Sequence, residues 1–195
     1  MRGHSSDVSF EELGPRLIVM GPSNSGKSTL SAFIGSVRGL PVVHLDLLRH
    51  EAGSFDRLRP LDDFHHDHAL AIEATSWVMD GNYSSCLDRR LARATGIILF
   101  DATTLTSLQR YVTRCLGRRV RHGGYGATGE SMRFSMVRHI VGPTRSSRRR
   151  YRHMFDTWAL PKLFLPTPQA VAAFRRREQA IFLVRRKLAV PAVAN

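Results

Sequence analysis

A chain of 195 residues with 43% hydrophobic and 23% charged residues can bury one sizeable core and is too apolar to stay disordered. Its formal net charge of +13 favours polyanionic partners, whether nucleotides, nucleic acids or anionic membrane surfaces, without choosing among them. No apolar run approaches the roughly 20 residues of a membrane-spanning helix, and two cysteines, Cys86 and Cys115, cannot build a disulfide framework.

Residues 1–15 are polar without a clear period and read as a flexible arm ending at Gly14 and Pro15, so that one domain would occupy residues 16–195. Arg16–Met20 (RLIVM) is a short apolar strand closing on Gly21, and Ser28–Val37 has helical spacing. Pro41–Asp46 (PVVHLD) reads as a second strand, Asp63–Thr75 as a helix, Ser76–Asp80 (SWVMD) as a third strand, and Leu87–Ala94 as a short helix. Gly96–Asp101 (GIILFD) is a fourth strand and Leu105–Leu116 a long helix. The glycine-rich stretch Gly117–Gly129 has no apolar face and reads as a mobile loop; helices fill much of Glu130–Trp158, broken near Gly142 and Pro143. Lys162–Leu165 is a last strand and Gln169–Leu188 a last helix. Apolar strands alternating with helices imply an α/β fold whose parallel sheet is covered on both faces, with its ligand beyond the carboxyl ends of the strands. Without a membrane span or an apolar leader in Met1–Gly14, a cytoplasmic location with reduced thiols is expected.

Gly21-Pro22-Ser23-Asn24-Ser25-Gly26-Lys27-Ser28 fits GxxxxGK[ST] at every fixed position and lies between a strand and a helix. Such a loop curls so that backbone N–H groups point at phosphate oxygens, and the next helix adds its positive N-terminus. The nucleotide contacts expected are Gly21, Ser23, Asn24, Ser25, Gly26, Lys27, Ser28 and Thr29, with Lys27 reaching the β- and γ-phosphates of ATP and the Ser28 hydroxyl holding Mg²⁺. Asp46, Asp80 and Asp101 fall at or near strand ends, where one carboxylate can hold Mg²⁺ and another can orient an acceptor hydroxyl or take its proton. Asp80, expected beside the phosphate-loop strand, is placed with Ser28 at the metal through a water. Arg118, Arg119 and Arg121 on the Gly117–Gly129 loop, one turn after Arg114, suit a closing segment that brings guanidinium groups to the transferring phosphoryl.

These motifs, in the order GPSNSGKSTL, PVVHLDLL, WVMDGNY, DRRLARATGIILFD and GRRVRH over residues 16–122, resemble the small P-loop kinases related to adenylate kinase, especially the bacterial FlaR-like topology-modulation proteins. The resemblance implies a three-layer P-loop NTPase sandwich with an acceptor-binding region at about 46–75 and a small arginine-bearing lid at about 117–132. It implies that Asp46 faces the acceptor, that Asp80 lies near the metal, and that Arg90 belongs to the acceptor side. It also implies that Arg114 covers adenine while Arg118 grips phosphate. The catalytic set is then Lys27, Asp46, Arg118 and Arg119, and the partners are Mg-ATP and an unidentified phosphoryl acceptor. Asn82 and Tyr83 replace the rest of the adenylate-kinase DGFPR motif after Asp80-Gly81, which argues against AMP as that acceptor. His122-Gly-Gly-Tyr-Gly likewise replaces the arginine-rich continuation of the FlaR-like group.

A rival function is a nucleic-acid-associated NTPase using Arg145–Arg152 (RSSRRRYR), Arg175–Arg177 and Arg185–Lys187 to neutralise phosphates. The chain is small for a translocating motor and shows no base-stacking array of aromatics. His65, His66 and His68 read as solvated rather than metal-bound, Met132, Phe134 and Met136 as packing residues, and Trp77 and Trp158 as core anchors. A monomer or a homodimer fits the chain equally.

Overall fold

The computed structural model describes residues 9–52, 54, 57–116 and 134–189. Strand β1 (Arg16–Met20) alternates its side chains between two cores, Leu17 and Val19 to one face and Ile18 and Met20 to the other, all buried. Helix α1 (Lys27–Arg38) starts on Gly26 and stops where Gly39 turns left-handed at φ 65°, its N–H bonded to the Gly35 carbonyl.

Strand β2 (Val42–His44) is shorter than Pro41–Asp46. It pairs with β3 (Trp77–Asp80) through Val42–Val78, Val43–Met79 and His44–Asp80, and the partner turns away at Gly81. With no ladder left, the leucine-rich segment Leu45–Arg49 becomes the short helix α2, its Leu45 buried. Asp46 therefore lies in the first turn of a helix and not on a strand. Helix α3 (Leu61–Ile72), a 3₁₀ turn at Ser84–Cys86, α4 (Leu87–Arg93), β4 (Gly96–Phe100) and α5 (Thr104–Leu116) follow. Then come α6 (Phe134–Val141), α7 (Pro143–Thr157) after the expected break at Gly142, β5 (Lys162–Leu165) and α8 (Pro168–Ala189).

The sheet is wholly parallel in the order β2-β3-β1-β4-β5. Leu30 and Ile34 of α1 and Val171 and Phe174 of α8 cover one face. Ile72 of α3 and Tyr151 and Phe155 of α7 cover the other, around Trp77 as anticipated. The connections switch from one side of β1 to the other between β3 and β4, so β1 has β3 on one side and β4 on the other, and the loops leaving these parallel strands emerge at the same end of the sheet.

Two expectations are corrected by burial. The arm does not reach residue 15: Phe10 and Leu13 are core residues, the Phe10 ring meets Phe174 edge-on at 5.0 Å, and Arg38 Nη1 donates to the Phe10 carbonyl at 2.9 Å. Apolar side chains spaced three apart in a polar stretch give too weak a period to be recognised, yet burying each contributes about 1.5–3 kcal/mol. His68 is not solvated but fully buried on the inner face of α3, whereas His65 bonds Ser85 Oγ at 3.1 Å. The proposed lid at 117–132, with Arg118, Arg119, Arg121 and Met132, lies outside the described residues, as do the side chains of Arg114, Phe134 and Met136. No described helix is long and apolar enough to cross a membrane.

Several arginines of the basic runs are engaged within the chain: Arg152 pairs with Asp156 at 3.2 Å, Arg177 with Glu178 at 2.9 Å, and Arg185 with Glu11. Arg175 lies over the Phe33 ring at 4.9 Å.

Candidate active site

The loop Gly21–Gly26 joins the carboxyl end of β1 to the start of α1. Gly21 sits at φ 149°, and a Cβ there would collide with the Phe100 carbonyl of β4, so only glycine admits this approach. Asn24, at φ 59°, is the one left-handed non-glycine residue of the described chain, and Gly26 at φ 102° delivers the turn into α1. No side chain caps α1 and no acidic residue stands in its first turn. The start of α1, with Ser28 and Thr29 in its first turn, presents the positive end of the helix to the loop. Lys27 Nζ donates to the Pro22 carbonyl at 2.7 Å, lying back over the loop it would share with a phosphate.

Asn82 clasps this loop from the β3 side. Its Nδ2 donates to the Gly21 carbonyl at 2.5 Å, and its Oδ1 accepts from the Gly21 N–H at 3.4 Å. Arg110 of α5 supports it from the β4 side, donating through Nη1 to the Ser25 carbonyl while its guanidinium lies 5.8 Å from the Phe100 ring centroid. Burial pulls the Arg110 guanidinium below its ordinary value.

Asp80 ends β3 in register with Val19 of β1 and is nearly closed to solvent, as its placement beside the phosphate-loop strand requires. Its Oδ2 meets His44 Nδ1 at 2.9 Å across the β2–β3 ladder. Asp46, in the first turn of α2, accepts from Tyr83 OH at 2.8 Å, and the Tyr83 ring packs on Phe64 at 5.0 Å between centroids. Asp101, beyond β4, is held by Arg148 of α7 through Nε at 2.5 Å and Nη2 at 3.0 Å, an ion pair that raises the arginine above its ordinary value despite partial burial. Arg90 lies fully buried on α4, with Nη2 donating to the Gly81 carbonyl at 3.2 Å.

The donor set suits a magnesium nucleotide: a glycine loop leading into a helix start, a hydroxyl at Ser28 and a hard carboxylate at Asp80. The expected loop residues and the three aspartates meet at one edge of the sheet. His44, Asn82, Tyr83, Arg110 and Arg148 are additions that the sequence did not single out. Asn82 and Tyr83 stood in the WVMDGNY motif, and His44 in PVVHLDLL, without being given a role. Arg110 was signalled by its position one helical turn before Arg114, whereas Arg148 is one of several arginines in its run and carried no distinguishing mark.

Strand order and loop together define a P-loop kinase fold. Among solved structures, the chain is similar to a gluconokinase from Sinorhizobium meliloti 1021, with 16% identity over 88% of this chain and 93% of that one and a TM-score of 0.55. It is also similar to a sugar kinase from Janibacter sp. HTCC2649 (13% identity, 92% and 97% covered, TM-score 0.46) and to shikimate kinase from Aquifex aeolicus vf5 (14%, 90% and 99%, TM-score 0.48). No protein-family model and no curated protein sequence matches the chain.

Proposed function

We propose that the protein is an ATP-dependent phosphotransferase acting on a small hydroxyl-bearing acceptor. The observation that carries this is the left-handed glycine loop leading directly into the start of α1, with Lys27 and Ser28 in the first turn and Asp80 on the neighbouring strand. A P-loop kinase fold shared with a protein named a gluconokinase supports the same reaction class. The motif order also supports membership of the FlaR-like group.

ATP lies with its β- and γ-phosphates against the loop N–H groups and Lys27. Ser28 and, through water, Asp80 would hold Mg²⁺, which would supply charge neutralisation for the phosphates. His44 fixes the Asp80 carboxylate from behind. The acceptor enters over the 46–75 region. Its hydroxyl oxygen bonds to the γ-phosphorus as the bond to the β,γ-bridging oxygen breaks, ADP leaves with that electron pair, and the hydroxyl proton passes to Asp46, which Tyr83 orients. Arg118 and Arg119, on a lid over about 117–132, supply positive charge to the equatorial oxygens, and Arg114 covers the adenine.

Incubating the protein with γ-labelled ATP and a metabolite pool identifies the acceptor as the labelled product. In Lys27→Ala transfer is abolished while the circular dichroism spectrum stays that of the wild type; unchanged turnover in that variant defeats the kinase assignment.

A further inference from the structure

Helix α8 outruns the body it packs on. Val171, Phe174 and Glu178 face inward and are buried, but from Gln179 to Leu188 every residue except the half-buried Phe182 is exposed. Four of the ten exposed large hydrophobic residues of the described chain fall in this stretch: Ile181, Leu183, Val184 at 57% exposure and Leu188 at 81%. Single exposed leucines are ordinary on a protein surface, but a cluster of apolar side chains that a helix holds in water marks a docking surface. Ile181, Val184 and Leu188 follow one another at helical spacing and share one side of the helix, and Leu183 adjoins them.

The charge on the same helix is almost entirely of one sign. Its six basic residues, Arg175, Arg176, Arg177, Arg185, Arg186 and Lys187, stand against the single acid Glu178, which is buried. Arg177 pairs with Glu178, Arg185 with Glu11, and Arg175 lies over the Phe33 ring. Arg176, Arg186 and Lys187 are exposed and meet no carboxylate among the described residues. A second copy laid along this helix brings like charges together. An antiparallel pairing sets Arg186 and Lys187 of one chain toward Arg175–Arg177 of the other, and a parallel pairing sets each run beside itself. Nucleic acid matches the charges but leaves Ile181, Val184 and Leu188 without a role, since phosphate contacts need no apolar side chain. An anionic phospholipid surface uses both features. The apolar side chains suit the boundary of headgroups and acyl chains, and long basic side chains reach from there to lipid phosphates.

We propose that the projecting end of α8 docks on an anionic membrane surface, with Ile181, Val184 and Leu188 in the headgroup boundary and Arg176, Arg186 and Lys187 on lipid phosphates. The attachment lies on the membrane and not across it, since no described helix is long and apolar enough to cross one. Its place in the fold keeps it clear of the candidate active site. Arg185 pairs with Glu11, in the segment leading into β1, so this end of α8 lies toward the amino ends of the strands. The glycine loop and Asp80 stand at the opposite, carboxyl ends. A membrane held at the end of α8 thus leaves that site open to solvent, and the docking surface does not depend on the phosphotransferase assignment.

The test sediments the full chain with vesicles of phosphatidylcholine alone and of phosphatidylcholine mixed with phosphatidylglycerol. The wild type is expected to bind the anionic vesicles and not the neutral ones, and to bind less as salt is raised. Val184→Ser combined with Leu188→Ser, and separately Arg186→Gln combined with Lys187→Gln, are each expected to weaken that binding roughly tenfold or more. All of these side chains are exposed, so neither variant disturbs the fold, which circular dichroism checks. Failure of the wild type to bind anionic vesicles overturns the proposal without any variant having to fold, and so does binding that either variant leaves unchanged. Ultracentrifugation and titration with duplex DNA test the other occupants. A dimer that Val184→Ser with Leu188→Ser dissociates assigns the face to a second copy, and DNA binding without vesicle binding assigns it to nucleic acid; each of these results overturns the membrane assignment.

Discussion

Removing the Asn82 clasp tests whether the phosphate loop is pre-formed by the loop after β3. Asn82→Ala deletes the 2.5 Å bond to the Gly21 carbonyl and the weak 3.4 Å bond from the Gly21 N–H. The stronger bond contributes about 1 kcal/mol net, and leaving the partly buried carbonyl without a partner adds roughly another 1 kcal/mol, so unfolding in urea should show a loss of about 2 kcal/mol. The effect on nucleotide binding has a different origin. A loosened Gly21–Ser23 segment must be ordered by the ligand, at about 1 kcal/mol per residue fixed. Ordering one or two residues weakens binding of a fluorescent ADP analogue by about 5- to 30-fold at 1.4 kcal/mol per tenfold change. Asn82→Asp should be worse than alanine, since a carboxylate cannot donate to the Gly21 carbonyl and adds negative charge beside the phosphates. If Asn82→Ala unfolds within about 0.5 kcal/mol of wild type and its nucleotide affinity stays within about twofold, the clasp does not organise the loop.

His68 makes stability depend on pH: its folded value of about 4 lies below the ordinary 6.5, so between these values the unfolded chain binds the additional proton and the folded state weakens as pH falls. The full loss is about 3 kcal/mol at 1.36 kcal/mol per pKa unit; His68→Phe should lack this slope in urea unfolding at pH 7 and pH 4.5, and parallel slopes for the two proteins would contradict the burial argument. For the arginines proposed to act on the nucleotide, Arg118→Ala should lower turnover by roughly 10³-fold or more with little effect on ATP binding, whereas Arg114→Ala should chiefly weaken binding. Turnover within about twofold in Arg118→Ala would move the role to an arginine between Arg133 and Arg152.

The strand–glycine loop–helix unit was legible because its requirements are local: an apolar run, glycines at two fixed places and a lysine and hydroxyl after them act over eight adjacent residues. Strand β5 and the break at Gly142 were legible for the same reason, since backbone restrictions are carried by the residues themselves. Strand β2 was overextended because a strand's length is set by its partner, and β3 leaves the ladder at Gly81, about 35 residues further on. Periodicity cannot report that. Pairings such as Asn82 with Gly21, His44 with Asp80, Arg110 with Ser25 and Arg148 with Asp101 join residues 36 to 85 positions apart. Nor does the sequence distinguish Arg90, a buried guanidinium, from Arg89, an exposed one beside it. Only the helix's rotation about its axis, fixed by Leu87 packing inward, turns one into the interior and the other into water. The chemistry available to this chain was thus written in adjacent residues, whereas the choice of which arginines, histidines and carboxylates face one another required the sheet order, because that order alone brings distant strand ends to a common edge.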